Sequence, residues 1–240
     1  AAFLRFIFTR PYMYGLPGGT QSHRKLFIHY GMDEERVITL PMMVNNERYS
    51  HQVSRASCEG GFRFLYVGRL IPCKQVDRII EAFREVCGRC RGVELVIVGD
   101  GVERKRLEAL AIGLPIYFKG CLYGDDLVWE FHSAHCLVLY SRYEQWGLVV
   151  NEALASGVPC IVSDEVGARF DLIEGDLPTG FVASASSLED LASCMVKMIE
   201  DCATRNRFSE NAIIRMNKWD YRFYRRQFSI FIGDNDVDRV

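Results

Sequence analysis

Two segments hold the residues best suited to chemistry. Gly68-Arg69-Leu-Ile-Pro-Cys-Lys74 sets two cations on one short loop, behind a glycine that lets backbone approach a ligand closely. An Arg can fork onto phosphate oxygens and a Lys adds a compact point charge, so the loop suits a phosphate-bearing ligand. Alone the signal is weak, since surface loops often carry an Arg and a Lys. The second segment, Tyr140 to Pro159, carries Glu144 before Gly147 and Glu152 after it. Gly147 opens an apolar helical stretch (Leu148, Val149, Val150, Ala153, Leu154, Ala155) whose first amides and dipole favour an anion. Glu152 projects from the second turn of that stretch. A carboxylate there is costly unless it accepts hydrogen bonds, as from ligand hydroxyls; the competing reading is a solvent-facing position. A hydrolase dyad needs its carboxylates about 5 to 9.5 Å apart. Eight residues of unbroken helix span about 12 Å, so the spacing counts against a dyad, although the break at Gly147 leaves the distance open.

The elements that must position these residues alternate regularly from residue 62 onward. Strands are expected at Phe62–Val67, Val93–Val98, Ile116–Lys119, Cys136–Tyr140 and Val158–Val162, each rich in β-branched or aromatic residues. Between and after them, helical spacing of apolar residues predicts helices at Gln75–Val86, Glu103–Ala111, Asp125–Ser133, Leu148–Ser156 and Ser187–Glu200. Near-continuous apolar strands alternating with amphipathic helices predict an α/β fold, a doubly wound parallel sheet of Rossmann-like kind. Ligands of such sheets bind beyond the carboxyl ends of the strands, which is where both chemical segments fall.

Residues 1–60 stand outside this alternation. They hold an apolar run (Phe3–Phe8), a Gly/Pro-rich turn (Gly15–Gly19), a helix (Ser22–Tyr30), a strand (Arg36–Leu40) and a polar stretch to Gly60. So few elements cannot bury their apolar faces alone, so this part reads as the end of another domain whose beginning is absent. The chain also begins with Ala rather than Met. The expected division is 1–58, 59–216, and a C-terminal helix at 217–240. Between Arg205 and Arg226 seven basic residues face only Glu210 and Asp220, interleaved with aromatics. Docking against a neighbouring domain is the favoured reading; a membrane-surface helix stays open, and nucleic acid is disfavoured.

Composition bounds the rest. Of 240 residues, 49% are hydrophobic and 25% charged, so wholesale disorder is excluded. The balance of 29 Lys+Arg against 31 Asp+Glu argues against a general polyanion binder. No apolar run approaches the roughly 20 residues of a membrane span, and the N-terminus does not read as a signal peptide. Nine cysteines, an odd number without framework spacing and mostly in apolar runs, fit core filling in a reducing, cytoplasmic setting. Cys87-Gly-Arg-Cys90 lacks a second pair at metal spacing and reads as a helix end.

In order, the motifs are Gly68-Arg69 with Lys74, Gly99-Asp-Gly101, Phe118-Lys-Gly120, and Glu144-Gln-Trp-Gly-Leu-Val-Val-Asn-Glu152. After these come Ala-Ser-Gly-Val-Pro159 and Val166-Gly-Ala-Arg-Phe-Asp-Leu-Ile-Glu174. Together they resemble the family 4 retaining glycosyltransferases of GT-B fold, the glycosyl transferases group 1, from Phe62 to roughly Val182. Ser22 to Gly31, Arg36-Val-Ile and Pro41-Met-Met-Val-Asn45 look like the last helix, strand and hinge of that family's N-terminal domain. The sequence departs from the family at Gln75, where Gly is usual, and at Ala168-Arg169, where a Gly-rich turn is common.

The resemblance implies a C-terminal donor-binding half and transfer, with retention, from a nucleoside-diphosphate sugar to a glycan or lipid-linked acceptor. Arg69 and Lys74, beside Gly68, would neutralise the diphosphate, and Glu152 would hold the ribose hydroxyls. The backbone of Gly147, Leu148 and Val149 would meet sugar and phosphate, with Glu144 beside the transferred sugar. Cys121 and Leu122 would flank the base. No Asp-x-Asp triplet stands among these motifs, in keeping with a site that needs no metal and no cofactor. Peripheral contact with the cytoplasmic face of a membrane stays open. The alternative is a nucleotide-sugar-binding module without catalysis of its own.

Overall fold

The computed structural model describes residues 2–10, 12–19, 22–50 and 61–232. They form two compact units: residues 46–216, and residues 1–45 together with 217–240.

The larger unit is built on a six-stranded sheet, β1 (Phe62–Val67), β2 (Val93–Val98), β3 (Ile116–Gly120), β4 (Cys136–Leu139), β5 (Cys160–Ser163) and β6 (Gly180–Ala183). Every pairing is parallel, and the spatial order is β3-β2-β1-β4-β5-β6. That is the expected doubly wound α/β sheet, with the strand order reversing between β1 and β4. The inner strands read as unbroken apolar runs because both their faces are covered: Phe64, Leu65, Leu95, Val96, Leu137, Val138, Ile161 and Val162 are fully buried. Edge strand β3 alternates instead, leaving Tyr117 half exposed.

In chain order the helices are α1 (Ala2–Phe8), α2 (Ser22–His29), α3 (Asn46–Tyr49), α4 (Val76–Arg89), α5 (Arg104–Leu110), α6 (Gly124–Ser133), α7 (Leu148–Ala155), α8 (Leu188–Glu200), α9 (Cys202–Lys218) and α10 (Tyr221–Ile232). Helix α4 buries Val76, Ile79, Ile80, Phe83 and Val86 on one face, each contributing about 1.5–3 kcal/mol. Helix α8 starts at Ser187, whose hydroxyl accepts from the Asp190 amide, and buries Leu191, Met195 and Met198. Cys87 lies in the last turn of α4 and Cys90 caps it, so this pair marks a helix end. Burial pushes both thiols above their ordinary range. Cys136 and Cys160 are fully buried in adjacent strands.

Several boundaries differ from the sequence reading. Strand β6 and the wide helical turn Arg169–Ile173 were not anticipated. The apolar run Phe3–Phe8 is helical. Arg36–Leu40 is not a regular strand. Its start belongs to a 3-10 turn, Glu34–Arg36, capped by the Asp33 carboxylate accepting from the Glu35 amide. The extended residues beyond pair through the Ile38, Leu40 and Met42 amides, which donate to the Gly15, Pro17 and Gly18 carbonyls, and the Gly15 amide returns to the Arg36 carbonyl. Pro17 and Pro41 lack amides, which prevents a full ladder.

The basic tail is two helices rather than one. Helix α10 restarts at Asp220, whose carboxylate accepts from the Phe223 amide. Two of the seven cations in 205–226 are structural: on α9, buried Arg205 donates to the Met198 and Ile199 carbonyls at the end of α8. Arg215 donates to the carbonyls of Asp171, Glu174 and Leu177. Both satisfy acceptors that helix or turn ends leave open. In the smaller unit, Trp219 Nε1 donates to the Met42 carbonyl at 2.7 Å and Tyr14 meets Phe231 edge-on. The boundary expected at 58/59, with Cys58, and the segment 233–240 lie outside the described residues. Among the described residues no helix is long and apolar enough to cross a membrane.

Candidate functional site

Both chemical segments emerge at the point where strand order reverses, one after β1 and one after β4. The loop after β1 is held by backbone. Gly68 and Leu70 amides donate to the Val98 and Asp100 carbonyls, and the Glu103 amide returns to the Leu70 carbonyl. Gly99 is required there, because a Cβ would stand 1.9 Å from the Gly68 carbonyl oxygen. The Gly99-Asp-Gly101 turn therefore acts as a brace for the Arg69 loop. Beneath the loop, fully buried Tyr66 donates its hydroxyl to the Arg69 carbonyl at 3.0 Å. Burial first, and the Glu144 charge second, push that hydroxyl above its ordinary range, so it remains a donor. The Arg69 side chain is exposed and makes no ion pair among the described residues.

Pro72–Lys74 form one 3-10 turn, ended by Gln75 in the left-handed region at φ 50°. This turn carries Lys74 across to Glu144. The two form a close ion pair, with side chains 13% and 18% exposed. The loops meet in the backbone as well, since the Arg142 amide donates to the Cys73 carbonyl at 2.8 Å. Glu144 is further fixed by exchange with the 165–167 turn: its amide donates to the Glu165 carbonyl and its carbonyl accepts from the Gly167 amide. Residues separated in the sequence reading into a cation loop and a carboxylate loop are thus one cluster.

Gly147 caps α7 with φ 94°, a conformation that disfavours any side chain. Buried Trp146 donates from Nε1 to Asn151 Oδ1 at 2.9 Å, tying this cap to the helix it opens. The first amides of α7, at Leu148 and Val149, are left without intrahelical acceptors, beside the Lys74–Glu144 pair. Glu152 lies one turn further on. Its solvent-facing reading is corrected: Tyr49 Oη donates to Glu152 Oε1 at 2.8 Å. Burial raises the carboxyl above the ordinary glutamate range, opposed by the Tyr49 hydrogen bond and by the Arg48 charge. Tyr49 itself is 8% exposed, packs edge-on against Phe131, and has its carbonyl bonded by His132 Nε2 at 2.8 Å. Sequence reasoning missed Tyr49 and His132, because neither sits in a motif.

Cys121 and Leu122 follow β3, which β2 separates from β1. No bond or ion pair joins them to the cluster among the described residues. Asp-x-Asp triplets do occur in the chain, at Asp234-Asn-Asp236 and Asp236-Val-Asp238, both outside the described residues.

The fold and this cluster define a class: a doubly wound parallel α/β domain with an anion-ready helix end, two cations and two carboxylates at its switch point. The family profile described as glycosyl transferases group 1 matches residues 50–215, and the chain belongs to that family. Among curated relatives, the sulfoquinovosyl transferase SQD2 of Arabidopsis thaliana is 28% identical over 85% of this chain and 39% of its own length. The alpha-D-kanosaminyltransferase of Streptomyces kanamyceticus is 34% identical over 62% of this chain and 39% of its own. Among solved structures, Anabaena HepE in complex with UDP has a TM-score of 0.78 at 20% identity, covering 92% of this chain and 63% of that one. Sucrose-phosphate synthase of Thermosynechococcus elongatus has a TM-score of 0.77 at 21% identity, covering 95% and 59%. These likenesses establish the GT-B type of fold. The chain spans about two fifths of the length of the two curated relatives.

Proposed function

We infer that this chain carries the donor-binding half of a family 4 glycosyltransferase. It would bind a nucleoside-diphosphate sugar for transfer, with retention and without a metal, to a glycan or lipid-linked acceptor. The observation that supports this best is the Lys74–Glu144 pair beside the first amides of α7, with Arg69 exposed on the same rim. A nucleoside diphosphate departs with its negative charge grown, and fixed donors already aimed at that charge stabilise it without reorganising. Arg69 forks onto phosphate oxygens, Lys74 supplies a second cation, and the Leu148 and Val149 amides complete the anion site. Glu144, positioned by Lys74, stands beside the sugar; Glu152 receives the ribose hydroxyls. HepE, a structural neighbour, was solved with UDP, which supports a nucleotide as the ligand.

Titration calorimetry with UDP and GDP tests the site. Arg69→Ala should weaken the nucleotide that binds by about 1–3 kcal/mol, the scale of charged hydrogen bonds, while leaving the melting temperature in place. Unchanged affinity would reject the phosphate assignment. A second reading is a nucleotide-sugar-binding module without transfer of its own. Substantial sugar transfer to an added acceptor by the 240-residue chain would overturn it.

A further inference from the structure

We propose that Tyr49 is a positioning residue for nucleotide recognition, its hydroxyl holding the Glu152 carboxylate in the orientation that tells a ribose from a deoxyribose. The proposal rests on the reading of Glu152 as the ribose acceptor. Its observation is the 2.8 Å bond from Tyr49 Oη to Glu152 Oε1, made across 103 residues of sequence. Among the described residues this phenol is the one side-chain donor that reaches the carboxylate. A long, half-buried glutamate on an apolar helix would otherwise sample several rotamers, and each would present its oxygens differently to a ribose diol. One donor on Oε1 fixes the plane of the group. It leaves Oε2 and the second lone pair of Oε1 to accept from hydroxyls.

The phenol is fastened rather than poised to swing. Its ring is nearly buried and edge-on to Phe131, at 5.7 Å between centroids. The His132 ring holds its carbonyl, and Asn46, at the start of the same short helix, donates to the Met216 carbonyl at 2.8 Å. Moving Tyr49 away to admit a nucleotide would break these contacts together. The geometry therefore favours a bond that persists in the complex over a gate that must open.

The test is calorimetric, on the full 240-residue chain, with UDP, GDP and their 2′-deoxy and 3′-deoxy analogues as probes. Tyr49→Phe keeps the ring and removes only the hydroxyl. It should lower affinity for the preferred ribonucleotide about three- to tenfold, the worth of one hydrogen bond, and leave the weaker deoxy analogue nearly unchanged. The ribose-to-deoxyribose ratio should fall by the same factor. A purely structural role would weaken both probes equally and leave the ratio intact, which overturns the proposal. Tighter ribonucleotide binding by Tyr49→Phe also overturns it, since it would make the phenol a competitor of the ribose. Glu152→Gln separates the layers. If that variant lowers the ratio while Tyr49→Phe does not, the positioning role fails and the ribose assignment stands. If Glu152→Gln leaves the ratio untouched, the ribose assignment fails and the positioning role with it.

Discussion

The two carboxylates of the site are held in opposite ways. Glu144 is answered by a full positive charge and by a bridge in its own backbone. Glu152 is answered by a neutral phenol on an otherwise apolar helix, and burial works against its charge. The first arrangement fixes a charge by pairing it; the second leaves a charge under-compensated, with room to accept hydrogen bonds that a ligand brings. A family 4 reading assigns the two residues different tasks, and the difference in their surroundings supplies a physical reason for that division.

Breaking the pair should have the largest effect. Lys74→Met strands the Glu144 carboxylate in a mostly buried position, and stability should fall by about 3 kcal/mol, toward the lower end for buried pairs because both partners keep some solvent. Adding Glu144→Gln on that background should restore most of the loss, since no unpaired charge then remains. Chemical denaturation of the two single variants and the double variant measures the coupling. A double variant as unstable as Lys74→Met alone would mean that packing, and not charge, makes the pair.

Glu152 should respond differently. Because its folded-state pKa lies above the unfolded value of about 4.3, the folded state binds the proton more readily. Its ionised form therefore costs stability. That cost is absent below the unfolded value and accrues as pH rises to the folded one. Glu152→Gln, which can still accept from Tyr49, should be the more stable protein at neutral pH. Its advantage should grow with pH across that window and stay flat above it. An advantage that shrinks with rising pH would contradict the burial argument. A side chain that weakens the fold in its working state is the expected mark of a site kept for binding rather than for packing.

Much of this was legible from local pattern. The strands β1, β2, β4 and β5 stand out because buried parallel strands are unbroken apolar runs, and the Gly68 and Gly147 segments follow two of them. What stayed hidden depends on distance in sequence. Lys74 and Glu144 are 70 residues apart, and Tyr49 and Glu152 are 103 apart. Nothing in either local spacing specifies those pairings: the strand order brings Lys74 to Glu144 by placing β1 beside β4, and the packing of α3 on α7 brings Tyr49 to Glu152. Strand β6 was missed because Gly-Phe-Val-Ala is short, begins with a strand-breaking residue, and follows a turn-rich stretch. Tyr49 falls within the expected division 1–58, and in the structure it belongs to the larger compact unit. Residues 205–226 show the converse: a bare charge count suggests a basic patch, while Arg205 and Arg215 spend their donors on helix-end and turn carbonyls.

The smallest expected effect concerns Gln75, which follows the paired lysine where the family usually has Gly. It is the one non-glycine residue at positive φ among the described residues, at 50°. A side chain in that region costs about 1–2 kcal/mol, from which the extra unfolded-state freedom of a glycine subtracts roughly 0.5–1. The Gln75 amide oxygen is also buried without a hydrogen-bond partner. Gln75→Gly should therefore stabilise the fold by about 1 kcal/mol, read as a rise of a few degrees in melting temperature. Gln75→Ala separates the two contributions, because it removes the unpaired amide but keeps a Cβ at positive φ. If strain dominates, Ala should gain little and Gly most of the effect; if the buried amide dominates, the two variants should gain alike. The turn that bears Lys74 ends at this residue, so the comparison also reads how rigidly the cation is presented. Relief of strain that leaves nucleotide affinity unchanged would show that Lys74 is placed by Glu144 and by the Arg142–Cys73 backbone bond, not by the left-handed residue that follows it.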